Sequence, residues 1–595
     1  MAQNQPTVPL AGGVDHDQAQ WEKATAAVLR KSRRLAEDAP DSAVWSALAT
    51  TTLDGLSVTP LGTAELVADL PETGLPGQAP YTRGSGLADE ELTGWDIRGW
   101  FTDPATTADD ITAELENGAN SLWLTVGPRG IAVDRLAELL EPVFLDLAPV
   151  VLEAPEDPIG AAEAYLAVCR DKGTAPHRDS NLGVSGSNLD WIVRAGELGR
   201  ANGIRGVIVD ATRAHEKGAS DVQELAWSMM VAVTYLRALE AAGFTIDEAA
   251  AQLEFRYAAT DEQFPTIAKL RAARTLWNRV GELAGIGDQA RAQRQHVVTS
   301  RPMMARYDSY ANMLRTTVAG FAAGVGGAEA VTILPFDEPL GLPTPFSRRI
   351  ARNTSSLLIH ESHVAKVIDP AGGAYAVEKL TDDLAMVSWE LFAELDGLDE
   401  LDGRADLDAA AERLDPLIEA VREDRATQIA TRERPITGVS EFPNLAEELP
   451  ERTPYPVAPD VFRYAGDFEA LRDAPAANPV FLATMGTVAA HTARATFVTN
   501  LFAAGGIAVG VAGATASVAD VVEAYREAGT PPVVCLAGAD GDYADWGAVL
   551  VTALREAGAS HLILAGKTDL GQDTSAAAGL DALAFLRQMR EVLSA

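Results

Sequence analysis

The stretch LATMGTVAAHTARATFVTNLFAAGG, residues 482–506, has the form of a strand end, a turn and a helix that stops at two glycines. It introduces a segment in which short apolar runs alternate with amphipathic ones. In parallel sheets built this way, ligands bind at the turn after the first strand. Here that turn holds one glycine, Gly486, followed by Thr487 to His491, and it has no acidic residue. The stretch therefore predicts a cofactor-type sheet and raises the question of whether a cofactor is still held.

The C-terminal segment, 479–595, carries four predicted strands and a final helix, LDALAFLRQMREVL (580–593). Strand–helix alternation on this scale predicts a doubly wound, flavodoxin-like sheet. The strand candidates are VFLATM (480–485), GIAVGVAG (506–513), PPVVCLAG (531–538) and HLILAG (561–566).

Eight further strand candidates lie between residues 91 and 395, with amphipathic helices between them. The clearest helix has Ser220 or Asp221 as its N-cap and Gly243 at its C-terminal end, which are favoured residues for a helix start and a helix end. Eight alternating units predict a closed (β/α)8 TIM barrel. The candidates are WDIRGWF (95–101), SLWLTV (121–126), PVVLEA (149–154), LGVSGS (182–187), GVIVDA (206–211), LEFRYAA (253–259), HVVTSR (296–301) and AVTILPF (330–336).

Two other segments flank the predicted barrel. Residues 1–90 combine an amphipathic helix with a Pro- and Gly-rich stretch. We predict an extended N-terminal arm that wraps its own barrel or a partner. Residues 396–478 are acidic, then proline-rich, which predicts a partly helical linker on the surface.

The composition narrows the possible functions. The chain has 595 residues and a formal net charge of −37, without a basic stripe of the kind that nucleic-acid binding needs. No apolar run approaches the roughly 20 residues of a membrane helix, and the first residues do not resemble a secretory signal. With only Cys169 and Cys535, we expect reduced thiols and a cytoplasmic protein, without nucleic-acid or membrane partners.

Longer matches make the interpretation specific. The chain resembles the adenosylcobalamin-dependent methylmalonyl-CoA mutases from about residue 40 to its C-terminus, and within that family it is most similar to the small (beta) subunits of the heterodimeric bacterial enzymes. The matching stretches are GLPGQAPYTRG (74–84), VQELAWS (222–228), AKLRAARTLWNRV (268–280), GLPTPFSRRIARNTSSLL (341–358), VIDPAGGAYAVEKLTDDLA (367–385) and GVSEFPNLAEE (438–448).

This resemblance implies a division of labour between two chains. The family interconverts methylmalonyl-CoA and succinyl-CoA by a radical rearrangement that its cofactor supplies. Coenzyme A threads the barrel bore, and cobalamin lies between the barrel and the flavodoxin-like domain. The expected partner is the catalytic large (alpha) subunit, and adenosylcobalamin is expected on that subunit.

The resemblance also locates the lower cobalt ligand of catalytic chains, in the pattern D-x-H-x-x-G. Aligned through TMG (484–486), the Asp position is Val488, the His position is Ala490 and the Gly position is Ala493. His491 lies one residue later and lacks a carboxylate to orient it. We expect no cobalamin ligation by this turn, with a shifted ligand at His491 as the alternative.

Two later markers of the cofactor site are also altered. The family serine that helps hold the cofactor tail falls near Val534 or Cys535, and neither is a serine. The next Gly-Gly pair becomes Ala565 and Gly566. Position 193 belongs to the barrel segment and is not implied in cofactor binding. We therefore expect no metal site in this chain.

The barrel positions that act on substrate in the family are replaced too. A tyrosine in the first strand becomes Trp100, and a Tyr-His pair becomes Thr212 and Arg213. We expect no catalytic residue at these places. His215, two residues further on, is a possible substitute donor or a loop histidine.

Three arginines are candidates for anion binding. Arg301 and Arg306 lie in the loop TSRPMMARYDSY (299–310), and Arg83 lies in the arm. Each could hold a coenzyme A phosphate or a carboxylate, or could form an internal salt bridge.

The resulting hypothesis is a non-catalytic, supporting subunit of a mutase heterodimer. One alternative is a catalytically competent cobalamin-dependent acyl-CoA mutase with an unorthodox site. The other is a regulatory subunit that senses an acyl-CoA without converting it.

Overall fold

A computed structural model describes residues 17–86, 94–397 and 407–594. The strands are β1 (Thr50–Thr51), β2 (Ser57–Val58), β3 (Asp96–Phe101), β4 (Ser121–Thr125), β5 (Val150–Glu153), β6 (Asn181–Val184), β7 (Arg205–Asp210), β8 (Leu253–Ala259), β9 (Gln295–Thr299), β10 (Ala330–Thr332), β11 (Val480–Thr484), β12 (Val509–Val511), β13 (Val533–Ala537), β14 (His561–Ala565) and β15 (Thr574–Ala576).

The α-helices of the described ranges follow in chain order. They are α1 (Gln18–Lys31), α2 (Val44–Leu48), α3 (Ala108–Glu116), α4 (Leu136–Leu139), α5 (Pro158–Asp171), α6 (Leu189–Asn202), α7 (Thr212–Glu216), α8 (Asp221–Ala241), α9 (Ile246–Ala250), α10 (Gln263–Ala284), α11 (Ala311–Val325), α12 (Pro345–Ser356), α13 (Tyr375–Asp396), α14 (Leu407–Ala430), α15 (Gly466–Asp473), α16 (Val488–Ala504), α17 (Val518–Glu527), α18 (Asp540–Asp542), α19 (Ala548–Glu556) and α20 (Ala582–Ser594).

Strands β3 to β10 form a closed, all-parallel barrel in chain order, and β10 pairs with β3 to close it. All eight predicted barrel strands are present, so the predicted TIM barrel is confirmed. Helix α8 begins at Ser220 with a capping box, in which the Ser220 hydroxyl accepts the Gln223 amide and the Gln223 side chain accepts the Ser220 amide. Gly243 follows the helix at φ +91°, a conformation that favours glycine.

The C-terminal segment forms one five-stranded parallel sheet of order β12-β11-β13-β14-β15. This is the 2-1-3-4-5 strand order of flavodoxin-like sheets. The four predicted strands are present, and β15 is an additional edge strand. The order reverses at β11, so the crevice beside the end of this strand is where such sheets hold ligands.

The N-terminal arm lies on its own barrel in its described part. The Tyr81 hydroxyl donates to the carbonyl of Asp288, and Arg83 pairs with Asp369 at 2.9 Å. Ser85 donates to Glu329, just before β10. These contacts fix residues 81–85 beside the N-terminal ends of β9 and β10.

Residues 407–473, predicted as part of a surface linker, contribute buried side chains to the fold. Leu414 and Ile418 of α14 lie in the core cluster of the barrel. Phe468 of α15 lies in a second cluster, shared with the C-terminal sheet and with Ala305 of the barrel. The acidic composition of this segment marks the outer face of α14, whereas its apolar face is buried.

Within the described ranges, every helix is too short or too polar to cross a lipid bilayer.

Candidate functional site

The turn after β11 places the predicted cofactor positions in the first turns of α16. Val488, at the family's Asp position, is exposed. Ala490 and Ala493 carry only methyl groups there. His491 is buried, and its Nδ1 has no hydrogen-bond partner in the described part of the chain. The histidine is thus turned into the protein and away from the exposed face at Val488.

The residue at position 193 is a valine. Val193 lies in α6 of the barrel and is half-buried, next to Ile192, which packs into the barrel core. It belongs to a different element from the turn after β11 and from the rest of the cofactor-type sheet.

The crevice beside β11 is closed by the chain itself. The loops after β11 and β13 lie so close that a Cβ on Gly538 would meet the Cβ of Met485 at 2.8 Å. A Cβ on Gly486 would meet the Asp542 carboxylate at 2.7 Å. The space that a ligand tail takes at a switch point is therefore occupied by protein atoms.

Tyr543 completes this closure. Its hydroxyl accepts the Gly538 amide at 3.0 Å and lies 2.9 Å from the carbonyl oxygen of Ala565. The guanidinium of Arg494 lies over its ring, 4.7 Å from the centroid. The buried ring therefore ties the ends of β13 and β14 together beside the crevice.

The remaining cofactor markers lie in the sheet core or against Tyr543. Val534 and Cys535 are buried within β13, and Ala565 is buried at the end of β14. A Cβ on Gly566 would contact the Tyr543 ring at 3.6 Å. In the described ranges, no group of three or more His, Cys, Asp or Glu side chains could hold a metal ion. These residues do not fit cobalamin, because the ligand position is Ala490 and the crevice is filled.

The barrel bore is filled as well, beginning with an ionic layer near its N-terminal end. Arg98 donates to Glu254 at 2.8 Å, and both side chains are fully buried. Arg294 pairs with the same carboxylate at 3.3 Å. Burial alone would raise the pKa of Glu254, but Arg98, Arg294 and Arg205 together lower it below its usual value.

A layer of rings and one guanidinium lies above these ions. The Arg256 guanidinium stacks 4.3 Å from the Trp123 ring centroid and pairs with Asp210 at 3.3 Å. The His296 ring meets Trp123 edge-on at 5.4 Å, and its Nε2 is 2.8 Å from the Thr332 hydroxyl. All of these side chains are buried. The middle of the bore is thus a packed core and not a channel.

Trp100 closes the top of the bore. Its indole N–H donates to Thr125 at 3.1 Å, and its ring lies 6.2 Å from that of Tyr455. Arg301 stacks over Trp100 at 5.0 Å and pairs with Glu338 at 3.0 Å, as well as with Glu216. The segment around Tyr455 therefore covers the C-terminal mouth of the barrel.

Thr212 and Arg213 lie at the rim, after β7. The Thr212 hydroxyl donates to Asp210, and Arg213 lies 3.7 Å from the same carboxylate. Arg213 and Asp210 also line a cavity of about 210 Å³ between the barrel rim and α14, with Trp227 on its wall. This volume is below the roughly 300–1,000 Å³ of typical ligand pockets.

His215, the possible substitute donor, is buried in a polar network. Its Nε2 is 2.7 Å from the Ser300 hydroxyl, and its Nδ1 is 3.6 Å from Glu224. Glu224 in turn accepts from Lys269 at 2.7 Å. The chain of contacts from Ser300 through His215 to Glu224 resembles the connectivity of a hydrolytic triad. All three side chains are buried, however, and none lines a cavity described here, so the network supports the fold.

Two of the buried histidines, His215 and His296, predict a pH dependence of stability. Burial, with nearby Lys269 and Arg425, holds the pKa of His215 well below its usual value. Burial, with Arg98, Arg256 and Arg294, does the same for His296. The folded state therefore keeps both rings neutral, while the unfolded chain gains protons as the pH falls through about 6.5.

We expect the stability advantage of the wild type over His215→Gln to shrink by about 1.4 kcal/mol between pH 7.5 and 5.5, and likewise for His296→Gln. Comparing each variant with the wild type cancels the contributions of other groups that titrate in this range and change stability in the opposite direction. One such group is Asp54, because burial raises its pKa to about 6. Urea unfolding at both pH values measures the change. His360→Gln is the control, because the His360 ring is exposed. We expect the difference in unfolding free energy between this variant and the wild type to be the same at both pH values.

The three arginines proposed as anion holders all have internal partners. Arg301 pairs as described above, Arg306 pairs with Asp473 at 2.8 Å, and Arg83 pairs with Asp369. Their geometry favours the salt-bridge alternative.

Sequence reasoning missed the residues that fill the bore and the crevice. Five side chains occupy the space that a ligand would need. They are Arg98, Glu254, Trp123 and Arg256 in the bore and Tyr543 in the crevice. Charged residues at alternate positions of otherwise apolar strands, as in LEFRYAA, were the available indication of a polar barrel interior.

Comparison with known proteins agrees with this architecture. The family model for methylmalonyl-CoA mutase matches residues 199–530. The methylmalonyl-CoA mutase small subunit of Streptomyces virginiae is 44% identical, over 96% of each chain. That of Propionibacterium freudenreichii subsp. shermanii is 36% identical, over 96% of this chain and 92% of its own. The probable small subunit of Mycobacterium bovis is 39% identical over 94% of each.

The class defined by fold and sequence is thus a mutase barrel followed by a five-stranded parallel sheet. The chain belongs to the methylmalonyl-CoA mutase family, and its similarity to the small subunits extends over nearly its full length.

Proposed function

We propose that this chain is the non-catalytic subunit of a cytoplasmic methylmalonyl-CoA mutase heterodimer. In this role it supports a catalytic large subunit, which carries the adenosylcobalamin and the substrate. The chain contributes structure, by presenting a barrel and a cofactor-type sheet that are both filled with protein side chains.

The observation that carries the proposal is the filled bore. A coenzyme A ester that threads the barrel would have to displace Trp123, Arg256 and Trp100, which are buried and interlocked. Displacing Arg256 would also leave Asp210 without its ion pair in a buried site.

The closed crevice supports the cofactor part of the proposal. A cobalamin tail would have to displace Tyr543, whose hydroxyl is satisfied by Gly538 and Ala565. A histidine ligand would have to come from His491, which is buried and turned inward. The alternative of a catalytically competent mutase is less favoured for these reasons.

The acyl-CoA-sensing alternative would need a site outside the bore. The cavity of about 210 Å³ beside Arg213 is smaller than a coenzyme A ester requires. A cavity of about 580 Å³, lined by Arg83 of the arm and by Glu378 of α13, is within the usual size range of ligand pockets and is the site that this alternative would use.

Cobalamin content tests the proposal. The chain is purified alone and as a complex with the large subunit, and cobalamin is quantified by absorbance. We expect one cobalamin per pair of unlike chains and none on this chain alone. Calorimetric titration of the isolated chain with methylmalonyl-CoA is expected to give no saturable heat.

Cobalamin that stays with the isolated chain would contradict the proposal and would make His491→Ala the next variant. Saturable acyl-CoA binding without cobalamin would favour the sensing alternative, and Arg83→Ala compared with Arg213→Ala would then locate the site.

A further inference from the structure

Four large apolar side chains are exposed together at the C-terminal rim of the barrel. Tyr310 and Leu314, about one turn apart at the start of α11, are 62% and 74% exposed, Phe442 is 70% exposed and Phe346 is 46% exposed. Buried Phe336 connects two of them, because its ring stacks 5.0 Å from Tyr310 and meets Phe346 edge-on at 6.0 Å. We call Tyr310, Leu314, Phe346 and Phe442 the rim patch.

A cavity of about 350 Å³ lies within the rim patch. Tyr310 and Phe442 both line it, with Phe336 as part of its wall. The other walls carry the carboxylates of Asp308, Glu447 and Glu448. The cavity thus combines two exposed aromatic rings with concentrated negative charge.

The charge of this cavity is only partly compensated. Glu447 lies 3.4 Å from Arg472, and Arg452, a cation in the lining, is paired with Asp337 at 2.9 Å. Across residues 17–86, 94–397 and 407–594, neither Asp308 nor Glu448 has a basic group within 4 Å. These two carboxylates can therefore accept a cation from outside.

The two loops that form the cavity are held together firmly. Arg472 donates to the carbonyls of Gly438 at 3.0 Å and Asn444 at 2.7 Å. The Asp308 amide donates to Glu447 at 2.7 Å. Phe442 has φ +54°, an uncommon conformation for an aromatic residue. The rim patch is thus ordered before anything binds, which lowers the entropy cost of docking.

We propose that the rim patch docks against the catalytic large subunit, and that an arginine of that subunit enters the cavity between Tyr310 and Phe442. This inference rests on the proposed heterodimer. An arginine can stack on aromatic rings while its N–H groups donate to carboxylates such as Asp308 and Glu448. Aromatic anchors with a buried arginine are typical of residues that dominate interface energies.

Charge complementarity favours this occupant over a second copy of the chain. At a net charge of −37, two copies repel each other, and an acidic cavity adds to that repulsion. Four side chains also cover much less than the roughly 800 Å² that each partner buries in a stable interface. The rim patch is therefore the energetic centre of a larger contact.

Affinity measurements with the purified large subunit test this inference. We expect Phe442→Ala and Tyr310→Ala each to weaken binding at least about tenfold. Glu448→Lys is expected to weaken it to a similar extent, and Glu448→Gln to reduce the salt dependence of the affinity. Phe144→Ala and Asp146→Lys, on an exposed loop before β5 where Phe144 is 73% exposed, are the matched controls and keep wild-type affinity.

The outcomes separate the two proposals. If the wild type does not bind the large subunit, the proposed function fails. Circular dichroism checks that the rim variants are folded. If the wild type binds the large subunit and the folded rim variants bind it with an affinity within twofold of the wild type, only the rim-patch proposal is overturned. Self-association that Phe442→Ala abolishes would also overturn it, in favour of a second copy.

Discussion

Glu254→Gln is expected to lower the free energy of unfolding by about 3 kcal/mol, because it removes the only charge partner of Arg98 found within the described ranges. Both side chains are fully buried, so water cannot solvate the guanidinium in place of the carboxylate. Arg294 loses part of its pairing as well. Urea unfolding followed by far-UV circular dichroism measures the change.

A matched control is available on the same side of the barrel. Glu248→Gln also removes a carboxylate that pairs with an arginine, Arg200 at 3.5 Å, but both partners are exposed. We expect little change there, because exposed ion pairs contribute little. An equally small effect of Glu254→Gln would mean that water reaches Arg98 and that the bore is open.

Trp123→Ala is expected to cost about 3–5 kcal/mol of stability, the usual range for a buried tryptophan. The ring is buried between Arg256 and His296, so truncation leaves a cavity in the middle of the barrel and removes a cation–π contact. The same unfolding assay detects the loss.

Trp123→Phe separates packing from hydrogen bonding. The indole N–H of Trp123 has no hydrogen-bond partner among the described residues, so phenylalanine loses only volume and part of the stacking. We expect a clearly smaller loss than for alanine. Equal losses of stability for the two variants would show that the indole N–H makes a stabilising contact beyond residues 17–86, 94–397 and 407–594.

The strands could be predicted well because each is a short apolar run between turn residues. All eight barrel strands and four of the five strands of the C-terminal sheet lie where the sequence placed them. Strand β15 was missed because Thr574–Ala576 has only three residues and no apolar run. Strand β10 is shorter than predicted, ending at Thr332, and Pro335 follows in the segment that leaves the barrel.

The replacement of the cofactor markers stays a prediction from the resemblance, whereas the filling of the two sites could not be predicted from the sequence. Trp123, Arg256 and His296 meet in the bore although they come from three different strands. The first and the last of them are more than 170 residues apart in the sequence. Their contact depends on the strand register, which periodicity does not specify. The closure by Tyr543 likewise depends on how α18 leads away from β13.

The filled bore has a consequence for the assembly when metabolite levels change. A protein that binds a ligand only in its folded state gains stability by mass action as the ligand accumulates and loses that gain as it is depleted. In this chain, Arg98, Glu254, Trp123 and Arg256 occupy the space that a ligand would fill. The stability of this barrel is therefore expected not to change with the concentration of a ligand that would enter the bore.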